Sequence, residues 1–467
     1  MSQGPSSFPN LVRLSRMNAD QSPQSSAEQS DGQDSASPYL DEVVRICQDL
    51  IRIDTSNFGG NESRGEPEAA AYCADLMRSA GMDPEIIESV PGRASVIGRL
   101  SGWDSEAPAL VLHGHLDVVP ADADEWSVDP FGAELKDGMI WGRGAVDMKG
   151  MDAMILTVLG HLHRTGQRPR RDLIVAFFSD EEAGGIYGAR WLVENRPELF
   201  DGATEAISEV GGFSTEIQGQ RAYLLQTAEK GLAWLNLTST GSPGHGSAVH
   251  PDNAVTRLAG AIQRIGAHEW PLDYTKTTRD LMEQVAELCG VEFDENDPTP
   301  QLEALGTAAK FVGSTLRNST NPTGLTAGYK HNVIPGKATA TVDARILPGQ
   351  EDEVMRILHE LAGEGIEFIP EHQDISLEVP FSGDLVDLMV SAVQAEDPGA
   401  PVLPFMMSGG TDNKSLSRLG ITGYGFAPLQ LPADLDFTGL FHGIDERVPV
   451  EALDFGCRVL HRLLEAR

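Results

Sequence analysis

The sequence has few basic residues for its length. Its 35 lysines and arginines compare with 70 aspartates and glutamates, which leaves a formal charge of −35. Nucleic acids and anionic membranes repel such a surface, so neither is expected as a partner. Most of these carboxylates are expected to keep the surface solvated, and their number says nothing about a substrate.

Long apolar runs and paired cysteines are also missing. No run approaches the roughly 18 residues of a membrane-spanning helix, and the N-terminus lacks the apolar core of a secretory signal. The four cysteines, Cys47, Cys73, Cys289 and Cys457, form no C-x-x-C pair. They indicate neither a disulfide framework nor a cysteine zinc knuckle, and they are typical of a reducing compartment. These absences together predict a cytoplasmic protein.

The chain is long enough for two domains. Its 467 residues exceed the roughly 250–300 residues at which a single core stops growing. Residues 1–37 are rich in Ser, Gln, Asp and Gly, and we expect them to be disordered because they cannot bury enough apolar surface. Beyond them, the pattern predicts a first domain formed by residues 38–224 and 382–467. A second domain, residues 225–381, is inserted into it.

The first domain has the pattern of an α/β fold. The apolar runs in ALVLHGHLD, DLIVAFFSDEE and EAISEVGG end in polar residues, and MDAMILTVLGHLHRTG has helical period between the first two. Buried strands that alternate with helices are typical of a largely parallel sheet. Helices are also predicted at residues 40–51 and 66–80. Because ligands bind at the carboxyl ends of parallel strands, the polar residues there predict a site.

The inserted segment has a different, α+β pattern. YKHNVIPGKATATVDARIL alternates polar and apolar residues in the way of a half-buried antiparallel strand pair. DEVMRILHELAGEG predicts an amphipathic helix, and DISLEVPF predicts a final strand. Residues 270–325 form a long insertion within this segment. The helix LVDLMVSAVQA then resumes the first domain.

Several clusters rich in polar and charged residues stand out: HGHLD at 113–117, GRGAVDMKG at 142–150, SDEE at 179–182, SEVGG at 208–212 and FHGIDER at 441–447. Singly, each is weak evidence, because a lone histidine after a strand is usually hydrogen-bonded in a core and adjacent acids are usually solvated. Burying several acids together is costly unless cations compensate them. Imidazole and carboxylate are ligands of zinc and related metals, so the set predicts a metal site.

These segments resemble the signature motifs of the M20 family of metallopeptidases. The resemblance rests on HGHLDVVP, GRGAVDMKG, SDEEAGG, SEVGG and HGIDERVP, and it continues into the inserted segment through PGHGS and HNVIPG…DAR. It covers nearly the whole chain from about residue 38. It implies an α/β fold of the zinc-peptidase type, in which a mixed sheet domain carries an inserted α+β lid domain that mediates dimerisation.

The resemblance also implies a pair of zinc ions, with cobalt or manganese as alternatives. The ligands of one metal match His115 and Glu209. Those of the other match Glu182 and His442, and Asp147 matches the ligand that bridges both. Two metals about 3.5–4 Å apart can polarise a scissile carbonyl.

Other residues of the same motifs match different roles. Asp117 matches the acid that orients the imidazole of His115. Glu181 matches the general base, which takes a proton from water and passes it to the leaving nitrogen. His113 has no functional match and is interpreted as structural.

In the inserted segment the resemblance implies substrate contacts. His245 matches a histidine that reaches across a homodimer to the partner's active site and steadies an oxyanion. Asn332 and Arg345 match substrate-binding residues, and an arginine suits a carboxylate. The alternatives are a loop histidine, a turn asparagine and a surface salt bridge. Gly409-Gly410-Thr411 resembles a glycine loop near the bound substrate.

The implied function is hydrolysis of the amide bond of a small N-acyl amino acid or short peptide. Glutamate at position 209 favours a carboxypeptidase or deacylase, whereas aspartate there is typical of dipeptidases and aminopeptidases, which remain the alternative. Val210 departs from the glycine that many relatives carry, which leaves the shape of that pocket wall open. A non-catalytic metal- or ligand-binding relative is a further alternative, although such a protein is expected to have lost Glu181. A structural protein whose clusters arose by chance is the third.

Overall fold

The computed structural model describes residues 37–60 and 62–465. The segment 1–37, predicted to be disordered, lies outside these residues except for Ser37. The helices of the described residues are α1 (Leu40–Arg52), α2 (Pro67–Ser79), α3 (Lys149–Thr165), α4 (Ala189–Asn195), α5 (Ala254–Gly266), α6 (Lys276–Cys289), α7 (Thr299–Ala304), α8 (Ala309–Gly313), α9 (Glu351–Ala362), α10 (Asp384–Glu396), α11 (Asn413–Ser417) and α12 (Val450–Glu465).

The strands divide between a large mixed sheet, a four-stranded sheet and three small ribbons. They are β1 (Asn57–Gly59), β2 (Glu62–Ser63), β3 (Glu85–Val90), β4 (Arg93–Leu100), β5 (Ala109–His115), β6 (Glu134–Lys136), β7 (Met139–Trp141), β8 (Leu173–Phe178), β9 (Ala203–Ser208), β10 (Phe213–Ile217), β11 (Gln220–Glu229), β12 (Gly231–Thr240), β13 (Gly244–His245), β14 (Ser319–Ala327), β15 (Val333–Ile334), β16 (Lys337–Ile346), β17 (Ile366–Asp374), β18 (Leu377–Glu378), β19 (Val402–Met407), β20 (Thr422–Gly425) and β21 (Arg447–Pro449).

The large sheet confirms the predicted mixed α/β fold. Its order is β10-β11-β20-β9-β5-β8-β4-β3, and β18 and β19 also pair with β11. Strands β9, β5 and β8 are parallel neighbours, whereas β4 is antiparallel to β8. Both β5 and β8 are buried along their whole length, as their continuous apolar runs predict.

The predicted helices around this sheet are present. Helices α1 and α2 agree with the predicted 40–51 and 66–80 to within one residue. Gly81 follows α2 with φ +82°, a left-handed conformation that favours glycine after a helix. Helix α3 links β5 to β8 as predicted, and it packs against α1 and α12. The four cysteines are free.

The four-stranded sheet has a core of its own. Its order is β14-β16-β12-β17, and all its pairs are antiparallel. Helices α5 and α9 contact each other, and α5 lies against strands of this sheet. Buried side chains of both helices and of the sheet form a separate apolar cluster, which includes Leu235, Leu237, Leu258, Ala261, Val342, Val354 and Leu358.

The predicted strand pair in YKHNVIPGKATATVDARIL is wrong in its pairing. Strand β16 pairs with β12 and β14, whereas β15 pairs with β13. The alternation of β16 between buried and half-buried positions is as predicted. Pattern alone identifies a half-buried strand but not its partner, and Pro335-Gly336 separates β15 from β16.

The helices of the long insertion pack on the large sheet, whereas its last residues lie in β14 of the four-stranded sheet. Helix α6 lies against β19, and buried side chains of α6, α8 and the connecting turns join the main apolar core. Part of the segment 225–381 therefore belongs by packing to the large sheet. Across the described ranges, no helix is both long enough and apolar enough to span a bilayer.

Candidate metal centre

The parallel strands bring the predicted ligands to one edge of the large sheet. Strand β5 ends at His115, β8 is followed by Glu181 and Glu182, and β9 is followed by Glu209. Because β9, β5 and β8 are parallel neighbours, these residues emerge side by side. His115, Asp147 and Glu182 offer ligand atoms within 4.8 Å of one another, and so do His115, Glu181 and Glu209.

Asp147 lies between the two histidines. Its Oδ1 is 3.0 Å from Nε2 of His115, and its Oδ2 is 3.2 Å from Nε2 of His442. One carboxylate thus contacts both imidazoles through different oxygens. This is the placement required of a ligand that bridges two metals.

The two sides of Asp147 differ in exposure. On the first side, His115 Nε2 lies 3.5 Å from Glu209 Oε2 and 4.0 Å from Glu181 Oε2. On the second side, His442 Nε2 lies 3.0 Å from Glu182 Oε2. The side chain of His115 is 1 % exposed and that of His442 is 54 % exposed. The first half is therefore buried, whereas the second half opens to solvent.

The imidazole of His115 is held in the tautomer that a metal needs. Its Nδ1 lies 2.9 Å from the backbone oxygen of Asp117, which can only accept. Nδ1 therefore carries a proton, which leaves Nε2, next to Asp147, as the nitrogen that can bind a metal after it loses its own proton. The Asp117 carboxylate lies farther away, with its Oδ1 3.7 Å from Nδ1. It instead accepts hydrogen bonds from the backbone N–H groups of Glu181 (3.0 Å) and Glu182 (3.1 Å). It thereby orients the pair of glutamates.

A buried polar network supports Asp117 from behind. Asn57 Nδ2 donates to Asp117 Oδ2 at 2.8 Å, and Arg93 Nη2 donates to Asn57 Oδ1 at 2.9 Å. Arg93 also pairs with Glu66 at 2.7 Å and Asp180 at 3.2 Å. The sequence analysis missed Asn57 and Arg93 because neither lies in a motif with the ligands, and only the fold brings them to Asp117.

The crowded carboxylates of the cluster favour bound cations. Burial raises the pKa of Glu209 to about 8, and it raises the pKa of Glu181 and Glu182 as well. Hydrogen bonds to Asp147 and Glu182 raise the pKa of His442 to about 10. Burial alone would lower the pKa of His115, but the Glu209 and Asp147 carboxylates outweigh it and raise that pKa. Two imidazoles among four crowded carboxylates fit a pair of divalent cations.

Two neighbours of the ligands have structural explanations. His113 is buried, its Nε2 lies 2.9 Å from Asn413 Oδ1, and burial lowers its pKa to about 4. This contact agrees with the structural interpretation.

Val210 is buried with φ +55°, a left-handed conformation that is strained for a β-branched residue. The position thus retains a backbone suited to glycine.

The glycine loop lies close to the cluster and brings in another acid. Thr411 donates to Glu229 through its backbone N–H (3.0 Å) and its hydroxyl (2.7 Å). The following residue, Asp412, is buried, and burial raises its pKa well above the ordinary value, with Glu209 among the nearby charges. The sequence analysis stopped at Thr411 and so missed Asp412, although it is the next residue.

The predicted substrate residues occupy two places. Arg345 on β16 pairs with Asp343 at 2.7 Å, and its Nη1 is 3.5 Å from the backbone oxygen of Ser408, next to the glycine loop. His245 and Asn332, both exposed, lie on or beside the β13–β15 ribbon, where Gly246 N–H donates to Asn332 O at 2.9 Å. No hydrogen bond joins this ribbon to the metal-centre residues within the described ranges.

Comparison with known proteins agrees with this geometry. Residues 111–466 match the family described as Peptidase family M20/M25/M40. The chain is 30 % identical over 434 residues to N-fatty-acyl-amino acid synthase/hydrolase PM20D1 of Xenopus tropicalis, covering 88 % of this chain and 83 % of that protein. It is 27 % identical over 405 residues to human aminoacylase-1, covering 85 % and 89 % respectively.

A solved structure has the same fold. The M20 family metallo-carboxypeptidase Sso-CP2 from Sulfolobus solfataricus superposes with a TM-score of 0.71 at 18 % identity, covering 91 % of this chain and 99 % of that one. The family match covers well over half of the sequence, and it includes every cluster of the metal centre. The chain therefore belongs to the M20 family of peptidases and amidohydrolases, and it is a hydrolase.

Proposed function

We propose that this chain is a di-zinc hydrolase that cleaves the amide bond of a small N-acyl amino acid or short peptide, as a carboxypeptidase or deacylase does. The observation that carries the proposal is the position of Asp147, whose two oxygens face His115 and His442 at 3.0 and 3.2 Å. His115 and Glu209 complete one metal site, and Glu182 and His442 complete the other. Cobalt or manganese could occupy the same ligands.

The adjacent residues Glu181 and Glu182 have different proposed roles, proton transfer and metal binding. When bound, two divalent cations polarise the scissile carbonyl and lower the pKa of water. Glu181 takes a proton from the attacking water and delivers it to the leaving nitrogen. Burial raises the pKa of Glu181, which makes its carboxylate a stronger base. Asp117 holds both glutamates by their N–H groups.

The substrate class is supported by residues and by relatives. Arg345 lies beside the glycine loop, where its guanidinium can bind the carboxylate of an acyl amino acid or a peptide C-terminus. Asn332 is the other proposed substrate contact. The related proteins are named for acyl amino acids and for carboxypeptidase activity. Glu209 agrees with that branch.

Assembly is part of the same proposal. His245 is exposed, so we propose that it serves the active site of a second chain in a homodimer. Residues 38–224 and 382–467 would form the catalytic domain and residues 225–381 the lid, with α6 to α8 of that segment docked on the large sheet. A cytoplasmic location stays a prediction.

The test combines metal analysis with a substrate panel. The purified chain should hold about two zinc ions per chain. With zinc, cobalt or manganese added, it should hydrolyse N-acyl amino acids and peptides with a free C-terminus. Amidation of that C-terminus should abolish hydrolysis if Arg345 binds the carboxylate.

Other results would redirect the proposal. Cleavage restricted to peptides with a free N-terminus would indicate the aminopeptidase or dipeptidase branch. Bound metal without hydrolysis of any panel member would indicate a binding protein. Absence of metal together with absence of hydrolysis would contradict the di-zinc mechanism.

A further inference from the structure

Glu446 is a fully buried acid that the proposed mechanism does not use. It lies four residues after His442, and its side chain is 0 % exposed. Strands β7 and β21 pair antiparallel, which brings the segment after β7 alongside the segment before β21. Gly142 N–H then donates to the backbone oxygen of Glu446 at 2.9 Å. Two segments that carry metal-ligand candidates thus meet at Glu446.

The Glu446 carboxylate is fully occupied by the segment that carries Asp147. Its Oε1 accepts the backbone N–H groups of Val146 at 2.7 Å and Asp147 at 3.0 Å. Its Oε2 accepts the N–H of Gly144 at 3.0 Å and Nη1 of Arg143 at 2.7 Å. Three backbone groups and one guanidinium therefore converge on a single side chain, and one of them belongs to Asp147 itself.

Arg143 extends the contact to the other ligand. Its Nη2 donates to the backbone oxygen of His442 at 3.4 Å, and its guanidinium lies 5.1 Å from the ring centre of Trp126. His442 has φ +58°, a left-handed conformation that is costly for a residue other than glycine and persists only when its surroundings hold it. The exposed half of the centre thus depends on contacts made outside it.

We propose that Glu446 and Arg143 are positioning residues that hold Asp147 and His442 at the separation needed to bind the second metal. This rests on the proposed di-metal function. His115 ends the buried strand β5 and Glu209 follows the buried end of β9, both in the large sheet, so their positions do not depend on Glu446. His442 lies on an exposed turn, and its half of the centre is the one that Glu446 and Arg143 secure.

A merely structural ion pair would act differently. Loss of a structural pair lowers the stability of the whole fold and weakens both metal sites to the same degree. Loss of a positioning residue changes the affinity of the site it positions by more than that of the other site. Substitution of residues that support metal ligands typically weakens metal affinity by roughly 10–100-fold.

The test measures the stepwise zinc affinity of the metal-free protein by competition with a chromophoric chelator. His442→Ala identifies the step that belongs to the exposed half, because that step should disappear. Glu446→Gln should weaken the same step by roughly 10–100-fold and the other step by less. It should also alter the visible spectrum of the dicobalt protein. At saturating zinc, kcat should recover towards wild type with KM unchanged.

Two further variants complete the design. Arg143→Lys keeps the charge but loses the planar fork, so it should weaken the same step to a smaller extent. The matched control is Glu205→Gln, near the start of β9. It removes the carboxylate that pairs with Arg171, whose Nη1 lies 2.5 Å from Glu205 Oε2. The control should leave both steps unchanged.

The outcomes separate this role from the function itself. Equal weakening of both steps in Glu446→Gln, with a lower melting temperature of the metal-free protein, would make the pair structural and overturn the positioning role. Wild-type affinities in Glu446→Gln would also overturn it, while a wild type that binds two metals and hydrolyses its substrate keeps the proposed function. A wild type that binds no zinc removes both.

Discussion

The carboxyl edge of the large sheet and the β13–β15 ribbon place their predicted functional residues very differently. At the sheet edge, residues more than 300 positions apart in sequence, His115 and His442 among them, gather around Asp147. On the ribbon, His245 is exposed, and its Nδ1 contacts Ser247 Oγ at 2.8 Å. The first region gathers the candidate metal ligands of one chain, whereas the second presents an exposed histidine with no hydrogen bond to them among the described residues.

The physical reason lies in how each region is held. The sheet edge is fixed by parallel strands that are buried on both faces, so side chains after neighbouring strands must meet. The ribbon consists of two paired positions, and such a short pairing holds a side chain in place only weakly. The proposed function therefore assigns His245 to the active site of a second chain.

The largest effect should come from the sheet edge. Glu181→Gln removes the proposed base but leaves the ligands, so it should lower kcat by roughly 10⁴-fold with both metals retained. Glu182→Gln should lose metal as well, because Glu182 faces His442 at 3.0 Å. Turnover measured beside metal content distinguishes the two variants. Wild-type turnover in Glu181→Gln would remove it as the base.

The next effect tests the ribbon. His245→Ala should lower kcat by roughly 10²–10³-fold if His245 stabilises an oxyanion, with metal content and the dimer unchanged. Mixing His245→Ala with Glu181→Gln under subunit exchange should restore about a quarter of wild-type activity. Half of the dimers are then mixed, and each has one complete site. Sedimentation as monomers only, or proven exchange without recovery, would leave His245 a loop residue.

The smallest effect is the number of protons that are released when zinc binds. In the metal-free protein, carboxylates raise the pKa of His442 to about 10 and that of His115 above its ordinary value. A metal needs the unprotonated ring nitrogen, so zinc binding at neutral pH should release about two protons or more. Apparent zinc affinity should therefore fall as pH falls, and dialysis at about pH 5 should remove metal.

Calorimetry in buffers of different ionisation enthalpy measures this count. His245→Ala should release the same number of protons as wild type, because no hydrogen bond joins the ribbon to the ligands among the described residues. His442→Ala should release fewer. Heats that do not depend on the buffer would contradict protonated histidines in the metal-free centre.

Much of the fold was predictable because its signals are local. Buried parallel strands leave continuous apolar runs, and amphipathic helices leave a three- and four-residue period, so β5, β8, α1 and α2 are where the pattern predicts. Strand pairing was less predictable. One partner of β16 is β12, about a hundred residues earlier, and alternation carries no information about which strand lies alongside.

The sequence by itself determined the family, the mixed α/β fold and the residue types of a metal centre, because motif order, apolar runs and ligand chemistry are all written in short segments. Only the tertiary structure decided which atoms meet. It placed Asp147 between two histidines, brought Asn57 and Arg93 behind Asp117, and set Glu446 against the Asp147 loop. Those contacts join residues far apart in the chain, and their partners are chosen by packing, which no local pattern records.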